Sequence, residues 1–467
     1  MNMKRIVIVG GGYAGFYTAR GLERKLMGSD GAEVLLIDPR PYMTYQPFLP
    51  EVLAGSIEPR HALVSLRKNL RRTRIISGYV VEISHANKTV VVRPHEGDDC
   101  VLSYDVIVVT AGAVTRTLPV AGIKQEAIGL KHVEEAIAIR NRLIASFDQA
   151  AELPVGPDRR RLLTAIVVGG GFSGVEGFGE LLSLAEYLLR YYPELKLEDL
   201  DFRLVEAANR ILPEVSEKTA ARIVKSLERR GAHVHLNTHV MSAVNGRIAL
   251  STGEQFDANV IVWAAGNSAN PVVARHTDLP VDSGGFLVVR ADLRVGTEDN
   301  VVEDAWGAGD DASVPDLSGG SPAGRVATNA QNALRQGRLL AANIVESFRG
   351  GPTRPYLHRN LGTIATLGMG RGAFQSGRIG FTGVLAWFFH RVYHLYAVPT
   401  WELKVRVLAG WLASAGFGRD IVSIEDEHHP RAAFERAGYP RRSSDRANPA
   451  ETGGRETGGS PLVHQHS

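Results

Sequence analysis

The chain has 467 residues, 44% of them hydrophobic and 22% charged, enough for two or three domains around a large buried core. The formal net charge of +3 and the lack of any nucleic-acid-binding motif argue against a nucleic-acid partner. The single cysteine, Cys100, excludes a disulfide framework and a cysteine-rich metal site, and it fits a reducing, cytoplasmic location.

The N-terminal segment predicts a dinucleotide site. Its apolar run IVIV is too short for a signal peptide and ends in glycines, so it predicts a buried strand. Gly10, Gly12 and Gly15 follow with the spacing G-x-G-x-x-G, and the next apolar strand ends at Asp38. The first glycine permits a tight turn, the second lets backbone approach a pyrophosphate, and the third lets the helix pack on the strand. The acid accepts the ribose hydroxyls.

The same pattern returns at TAIVVGGGFSGVEGFGEL, with Gly169, Gly171 and Gly174, and with Glu206 after the next strand. One glycine motif alone is also compatible with a plain glycine-rich turn, but strand, glycines, helix, strand and acid together are specific. Two copies predict two bound dinucleotides. Glu206 favours NADH over NADPH because an acid there repels a 2′-phosphate, although Arg210, four residues on, could soften that preference.

Further strands complete an α/β fold. YDVIVVTAGA (104–113) and ANVIVWAAGN (258–267) predict parallel strands that lead into Ala-Gly turns, and GAGD places Asp310 before a helix predicted over 324–349. We therefore expect two Rossmann-like dinucleotide-binding domains, the second inserted in the first, plus a C-terminal amphipathic helical region. The predicted boundaries are 1–118 and 284–350 for the first domain, 119–283 for the inserted domain, 351–425 for the C-terminal region and 426–467 for a disordered tail.

The C-terminal region holds the densest aromatic cluster, VLAWFFHRVYHLY (384–396). No stretch reaches the roughly 18 apolar residues that a membrane span needs, and the longest, 379–389 and 407–417, are about half a span each. A helical wheel places one group of apolar side chains on a single arc, namely Phe388, Val392, Leu395, Leu385, Tyr396 and Phe389. It places His390, Arg391 and His394 on the opposite side.

Basic residues dominate this region, with six Lys or Arg against one Glu over 371–419. An apolar arc opposite a basic polar face predicts a helix that lies in the membrane interface with its polar face in water. Pro399 is expected to end this helix before the next one. The alternatives are a cap on the first domain and a dimer interface. His390 and His394 have metal-ligand spacing but no third ligand nearby, so no metal site is predicted.

The layout resembles the two-dinucleotide-binding-domain flavoproteins, in which the first site holds FAD and the inserted site NAD(P)H. The segment directly after Asp38, PRPYMTYQPFLPEV, contains no thiol, which excludes disulfide reductases and sulfide:quinone reductases. Within that superfamily, residues 1 to about 420 resemble the type II NADH dehydrogenases. The stretches that carry this resemblance are YQPFLPEV (45–52), GGGFSGVEGFGEL, AQNALRQG (330–337), LHRNLGTIATLG (357–368) and the aromatic cluster.

This resemblance implies further site residues. FAD contacts, besides the first glycines and Asp38, are implied at Arg40, Gln46, Pro47, Val80, Ala111, Gly112, Asp310, Ala330 and Gln331, and an NADH contact at Gly266. Glu176 is implied to relay protons near the nicotinamide and quinone, and Gln331 to orient the quinone ring. The structural alternatives are a first-turn acid for Glu176, a helix-face amide for Gln331 and a helix cap for Asp310.

The chain also departs from the family pattern. A second glutamine four positions after Gln331 is replaced by Arg335, and Gln336 stands one position late. A two-glutamine quinone site is therefore not expected, and Arg335 either faces the quinone pocket or points outward.

The implied activity is FAD-dependent NADH:quinone oxidoreduction without proton pumping, with menaquinone or ubiquinone as acceptor. The implied setting is a homodimer attached peripherally, through 379–417, to the cytoplasmic face of the cell membrane. Two other functions stay open: a soluble flavin-dependent NAD(P)H reductase with another acceptor, and a flavin-holding interaction protein resembling apoptosis-inducing factor.

Overall fold

Two parallel sheets carry the two glycine motifs in the computed structural model, which describes residues 3–26, 31–319, 324–357 and 362–423. The strands of these sheets and of a C-terminal antiparallel sheet are, in chain order, β1 (Lys4–Val9), β2 (Ala32–Asp38), β3 (Arg74–Ser77), β4 (Val106–Val109), β5 (Ile128–Gly129), β6 (Thr164–Val168), β7 (Asp201–Val205), β8 (His233–His235), β9 (Val260–Trp263), β10 (Arg294–Gly296), β11 (Val301–Gly307), β12 (Thr363–Thr366), β13 (Gly372–Ser376) and β14 (Ile379–Thr382).

The helices cover these sheets and form the C-terminal region. They are, in chain order, α1 (Tyr13–Lys25), α2 (Leu49–Leu53), α3 (Leu66–Asn69), α4 (Ile123–Glu126), α5 (Val133–Ala151), α6 (Pro157–Leu162), α7 (Phe172–Leu188), α8 (Glu217–Glu228), α9 (Pro271–Arg275), α10 (Ala330–Phe348), α11 (Val384–Ala397) and α12 (Trp401–Phe417). Single 3₁₀ turns occur at Gln46–Phe48, Pro59–Ala62 and Leu197–Asp199.

Short strands outside the parallel sheets form small sheets of their own. Antiparallel sheets pair Tyr42–Thr44 with Leu63–Ser65; Tyr79–Ser84 with Thr89–Arg93 and Cys100–Ser103; Ala113–Thr115 with Asn267–Ala269; and Val240–Val244 with Arg247–Leu250 and Gln255–Asp257. One parallel pair joins Leu287–Val288 to Ala312–Ser313.

The first sheet has the order β10-β11-β4-β1-β2-β3 and is parallel except for its edge pair β10–β11. Its central strand β1 is buried from Ile6 to Val9, as a run of β-branched residues covered on both faces requires. The second sheet has the order β5-β9-β6-β7-β8 and is wholly parallel. The α/β fold and the parallel strands predicted within 104–113 and 258–267 are confirmed.

Helices α1 and α10 cross closely because small residues line their contact. A Cβ on Gly337 would lie 2.4 Å from the Ala14 carbonyl oxygen, and one on Gly21 would lie 2.5 Å from the Ala341 Cβ. The crossing ties the start of α10 to the first glycine motif. The predicted start of this helix at 324 was wrong: it begins at Ala330, where the Asn329 side chain caps it.

The C-terminal region consists of the sheet β12-β13-β14 and the helices α11 and α12, with Pro399 between the two helices as predicted. In the part of the chain that the structure describes, none of the helices has the length and apolarity that a bilayer crossing requires. The tail predicted over 426–467 lies outside the described residues.

Candidate active site

The first glycine motif leaves an open cradle at a helix N-terminus. Gly10, with a φ of 95°, turns the chain after β1, and a Cβ on Gly15 would lie 1.9 Å from the Gly10 carbonyl oxygen. A Cβ on Gly12 would meet no atom within 4 Å. Because Gly12 is the N-cap of α1, this free space lies where backbone N–H groups and the helix dipole favour a phosphate.

The second motif repeats this geometry. Gly169 has a φ of 117°, and a Cβ on Gly174 would again lie 1.9 Å from the carbonyl oxygen of the first glycine. Gly171 is the N-cap of α7 and has free space beside it, with no atom within 4 Å of a Cβ placed there. Each motif therefore fits a dinucleotide pyrophosphate, with two glycines packed and one open.

An acid stands beside each cradle. The two carboxylate oxygens of Asp38 accept from the backbone N–H groups of Gly11 and Arg40, both at 2.7 Å. Burial raises the pKa of Asp38, and these two N–H groups oppose the rise. Glu206 accepts from the Gly170 N–H in the equivalent position. Carboxylate oxygens have further lone pairs, so both acids can also accept from a ribose hydroxyl.

Arg210 has its hydrogen-bond partners in its own loop and makes no described ion pair with Glu206. Its guanidinium donates to the carbonyl oxygens of Pro213 at 2.8 Å and Val215 at 3.2 Å. The Arg210 side chain thus braces its own loop, and no nearby cation offsets the charge of Glu206 through a described ion pair.

Most of the other predicted FAD residues lie near the carboxyl edge of the first sheet. Ala111 and Gly112 follow β4 and Asp310 follows β11, and both strands run parallel to β1. Burial raises the pKa of Asp310, while the Lys131 ammonium opposes the rise. Gln46 and Pro47 lie in the 3₁₀ turn after the strand Tyr42–Thr44, and Val80 lies at a bulge of the strand Tyr79–Ser84.

The Ala-Gly turns of the two sheets lie side by side. Gly112 and Gly266, with φ of 72° and 92°, each have open space where a Cβ would stand. The strands that follow them, Ala113–Thr115 and Asn267–Ala269, pair with each other. The backbone N–H of Asn270 also donates to the Gly112 carbonyl at 3.1 Å. This pairing brings the two nucleotide cradles into one region of the molecule.

The first turn of α10 places Ala330 and Gln331 at partly buried positions. Gln336 turns the other way, and its carbonyl oxygen accepts from the Gly309 N–H at 2.8 Å, so it holds the turn that presents Asp310. Burial raises the pKa of Tyr393 on α11, and the Arg335 guanidinium opposes the rise. The Arg335 guanidinium also opposes the rise in the pKa of Tyr356, so it lies near both tyrosines.

Glu176 and Glu180 lie on the buried face of α7, which packs closely on the chain after β12 because a Cβ on Gly179 would lie 2.8 Å from Leu367. Glu176 accepts from the Thr366 N–H at 3.0 Å, and Glu180 accepts from the Thr366 hydroxyl at 2.6 Å. Burial raises the pKa of Glu176 to about 8, against the opposing Thr366 N–H. Glu176 is therefore largely protonated at neutral pH.

Glu51 on α2 is a second buried carboxyl, 1% exposed, which the sequence did not single out. The Trp411 indole N–H donates to its Oε2 at 2.7 Å, and Arg391 approaches the same oxygen at 3.1 Å. Burial raises the pKa of Glu51 to about 7, and Arg391 opposes the rise. The contacts join the segment after Gln46 to α11 and α12.

The polar face of α11 turns toward these carboxyls, so the expectation that it lies in water was wrong. His390 is 0% exposed and places Nε2 3.5 Å from Glu176 and Nδ1 3.9 Å from Glu51. His394 is 7% exposed and has its Nδ1 3.1 Å from the Tyr45 hydroxyl. The physical reason lies in the polar groups of the interior: Arg391 pairs with Glu51, and the two imidazoles face buried carboxyl and hydroxyl groups.

The apolar face of α11 turns outward. Together with α12 it exposes a set of large apolar side chains, called here the apolar face: Val384, Leu385, Phe388, Phe389, Val392, Tyr396, Trp401, Val405, Leu408, Leu412 and Phe417. Leu395 alone of the predicted arc is packed against the core. Over the described ranges no group of three or more potential metal ligands comes together.

The buried polar groups that meet here are called the buried cluster below: Tyr45, Glu51, Glu176, Glu180, His390, Arg391, His394 and Arg419. Of these, sequence reasoning missed Tyr45, Glu51 and Arg419. Arg419 lies 3.6 Å from Glu180 and donates to Ser183 at 3.0 Å. One signal was available for Glu51, a lone acid inside the otherwise apolar run FLPEVLAG. An acid in such a run is buried only where it has a function or a partner.

Comparison with known proteins agrees with the predicted resemblance. The pyridine nucleotide-disulphide oxidoreductase model matches residues 4–337. A type II NADH:quinone oxidoreductase of Haemophilus influenzae is 28% identical over 386 residues, which are 78% of this chain and 85% of that protein. The type II NADH:quinone oxidoreductase Ndh of Mycobacterium tuberculosis is 27% identical over 422 residues, 87% of each chain.

The fold is also similar to a solved structure of NDH2 from Plasmodium falciparum in complex with NADH. The TM-score is 0.82 at 17% identity, and the match covers 90% of this chain and all of that one. With the family model spanning most of the sequence, the chain belongs to the pyridine nucleotide-disulphide oxidoreductase family and is similar over most of its length to type II NADH:quinone oxidoreductases.

Proposed function

We propose that this protein is an FAD-dependent NADH:quinone oxidoreductase that does not pump protons. The observation that carries the proposal is the meeting of three parts: the second-motif helix α7, the segment after Gln46 beside the first motif, and α11. Glu176 and Glu51 come from the first two parts, and His390 joins them from the third. The site thus connects both nucleotide cradles to a helix with an apolar outer face.

Each cradle has its own task. We assign FAD to the first because its acid, Asp38, and its neighbours Gly112 and Asp310 gather at one sheet edge. We assign NADH to the second, where Glu206 disfavours a 2′-phosphate. The bound FAD supplies the two-electron chemistry between NADH and the acceptor. The chain contributes binding, orientation and proton transfer, and Cys100, exposed on the strand Cys100–Ser103, takes no part.

Glu176 and Gln331 are the proposed catalytic residues. Glu176 is held by the Thr366 N–H and keeps a proton near neutral pH because burial raises its pKa to about 8. A proton held at that carboxyl is available when the acceptor becomes basic on reduction. Gln331, in the first turn of α10, presents a neutral amide that can donate to a quinone oxygen.

We further propose peripheral attachment at the cytoplasmic face of the membrane through 379–417. The support is the apolar face, which exposes aromatic and branched side chains that in water would cost about 25 cal/mol per Å². The same face belongs to the helix that carries His390 and His394, so a quinone dissolved in lipid would have a short way to the inner side of α11. We propose a homodimer that leaves part of this face to lipid.

The activity is tested by anaerobic flavin reduction with NADH, followed by reoxidation with soluble menaquinone and ubiquinone analogues, with and without lipid vesicles. We expect reduction by NADH, weaker use of NADPH, and reoxidation by at least one quinone. Reduction by NADH with no quinone-dependent reoxidation contradicts the proposal and favours a soluble reductase with another acceptor. A flavin that NADH hardly reduces favours an interaction protein.

Attachment is tested by vesicle flotation of the variant Phe388→Gln/Tyr396→Gln. These side chains are 55% and 81% exposed, so their replacement should leave folding unchanged and weaken vesicle binding at least tenfold. Leu197→Gln is the matched control, because this leucine is 52% exposed and is not part of the apolar face. This variant should float like the wild type. Equal flotation of all three proteins contradicts membrane attachment through the apolar face. The proposed homodimer is tested separately, by sedimentation in detergent.

A further inference from the structure

His390 is a fully buried imidazole that no described group satisfies. Neither of its ring nitrogens has a hydrogen-bond partner within the described residues, and the Glu51 Oε1 that faces it has none either. Buried polar atoms are otherwise almost always paired, so unpaired atoms that face each other point to a function or to a bridging water. The His390 ring stands between two carboxyls, with its Nε2 3.5 Å from Glu176 and its Nδ1 3.9 Å from Glu51.

A line of polar groups continues from His390 toward the first nucleotide motif. The ring of His394 lies 4.4 Å from that of His390, centroid to centroid, and its Nδ1 lies 3.1 Å from the Tyr45 hydroxyl. The Tyr45 ring in turn lies 6.0 Å from the ring of Tyr13, the first residue of α1 after the open cradle at Gly12. The line thus runs from α7, through α11, to the proposed FAD site.

The proposed reaction needs such a line. In the balanced reaction, NADH, one proton and a quinone give NAD⁺ and a quinol. The hydride supplies the electron pair and one hydrogen, so the second hydrogen of the quinol must arrive as a proton through the protein. His390, His394 and Tyr45, which lie along this line, are 0%, 7% and 3% exposed, so bulk water has little direct access to them.

We propose that His390, His394 and Tyr45 form a proton path that carries one proton per turnover from Glu176 or Glu51 to the acceptor side of the FAD site. This inference rests on the proposed function and assigns a pathway within it. In each transfer an imidazole accepts a proton at one ring nitrogen and releases one from the other, so the rings return to their starting protonation once they have reoriented.

The charges around the path fit this assignment. Burial raises the pKa of Glu176 to about 8 and of Glu51 to about 7, so protons are stored at neutral pH. Burial, helped by Arg391, lowers the pKa of His390 to about 3, and burial with His390 lowers that of His394. The two imidazoles therefore stay neutral at rest, and each can pass a proton on without remaining protonated.

The groups that face the path from neighbouring elements are also accounted for. Glu180 on α7 and Arg419 after α12 pair with each other at 3.6 Å, and Tyr393 on α11 faces Arg335. Glu176 is 9% exposed, against 1% for Glu51, so it is the carboxyl that refills from solvent.

The kinetic test uses the FAD-loaded full-length protein and the variants His390→Gln, His394→Gln and Tyr45→Phe. His239→Gln, the same change at an exposed histidine, is the matched control. We expect flavin reduction by NADH to stay within twofold of wild type in all four. Reoxidation by a soluble ubiquinone analogue should slow at least tenfold in the path variants, with a larger solvent deuterium isotope effect, and stay unchanged in the control.

A second readout is independent of turnover. Ring-nitrogen NMR of ¹⁵N-histidine-labelled holoenzyme should show two histidines that stay neutral from pH 5 to 9, with shifts between those of the two tautomers. Each of the two histidine variants should remove one of them. If either of these two histidines is an imidazolium at pH 6, or is held as a single fixed tautomer, the proposed path is overturned.

The kinetic outcomes separate the two proposals. A wild-type enzyme that NADH reduces and quinone does not reoxidise contradicts the proposed function, whereas the NMR result still decides the state of the rings. With a competent wild type, unchanged reoxidation in both histidine variants overturns the path. Equal slowing of both half-reactions assigns the histidines a structural role instead and likewise overturns it.

Discussion

The proton held by Glu176 should be measurable in the free energy of unfolding. Burial raises the pKa of this carboxyl from 4.5 to about 8. Between these values the folded chain keeps a proton that the unfolded chain has lost, so stability falls as pH rises through this window. The substitution Glu176→Gln removes the titration and keeps an oxygen that can accept from the Thr366 N–H.

The size of the effect follows from linkage. One group contributes a slope of at most about 1.4 kcal/mol per pH unit inside its window. Between pH ~5.5 and ~7.5 the free energy of unfolding of Glu176→Gln, relative to wild type, should therefore rise by about 2–3 kcal/mol. Glu51 and His390 also titrate with shifted pKa values, but both are present in the two proteins and largely cancel in the difference.

Urea unfolding followed by intrinsic fluorescence at the two pH values measures this difference. Glu228→Gln makes the same chemical change at an exposed position at the end of α8 and should differ from wild type equally at both pH values. If the difference between Glu176→Gln and wild type does not change with pH, the carboxyl is not a proton store and its role in proton transfer falls with it.

Four further substitutions probe the nucleotide sites. Gly12→Ala should lower FAD affinity at least tenfold and leave the stability of the apo-protein unchanged, because its Cβ enters the open cradle. Gly15→Ala should instead lower the free energy of unfolding by roughly 3 kcal/mol or more, because its Cβ would clash with the Gly10 carbonyl oxygen. Calorimetry of FAD binding measures the first effect, and urea unfolding measures the second. Glu206→Gln should raise the KM for NADH about tenfold and narrow the preference over NADPH, measured as kcat/KM for both. Gln336→Leu leaves the buried Gly309 N–H without its acceptor, which should lower the free energy of unfolding by about 1–3 kcal/mol. The variant should lose FAD on gel filtration, and full FAD retention would contradict the role assigned to Gln336.

The nucleotide cradles could be predicted from sequence because their requirements are local. Gly10, Gly12 and Gly15 lie within six consecutive residues, and the close approach that requires Gly15 is to the carbonyl oxygen of Gly10, five residues away in the chain. The position of the acid is also predictable, because it is the last residue of the next strand, and parallel pairing of β1 with β2 brings Asp38 to the Gly11 N–H. Local spacing therefore carries most of the information about these sites.

The buried cluster could not be predicted in this way, because its members come together only through tertiary packing. Glu51, Glu176 and His390 belong to three different elements, α2, α7 and α11, far apart in sequence. The same holds for Gln336: its sequence offset from the family pattern is visible, but only the fold shows that its side-chain amide accepts from the Gly309 N–H. A motif names candidate residues, and packing decides their partners.

The orientation of α11 is the most informative of these differences. A helical wheel separates its apolar arc from His390, Arg391 and His394, but it cannot say which side faces inward, and the usual rule puts apolar residues inside. Here Arg391 pairs with Glu51 inside, while Phe388 and Tyr396 stand outside. Such an arrangement is costly in water on both counts, because it buries ionisable groups and exposes aromatic ones. Against lipid the outer cost disappears, and the proposed proton transfer to a quinone gives the inner groups a function.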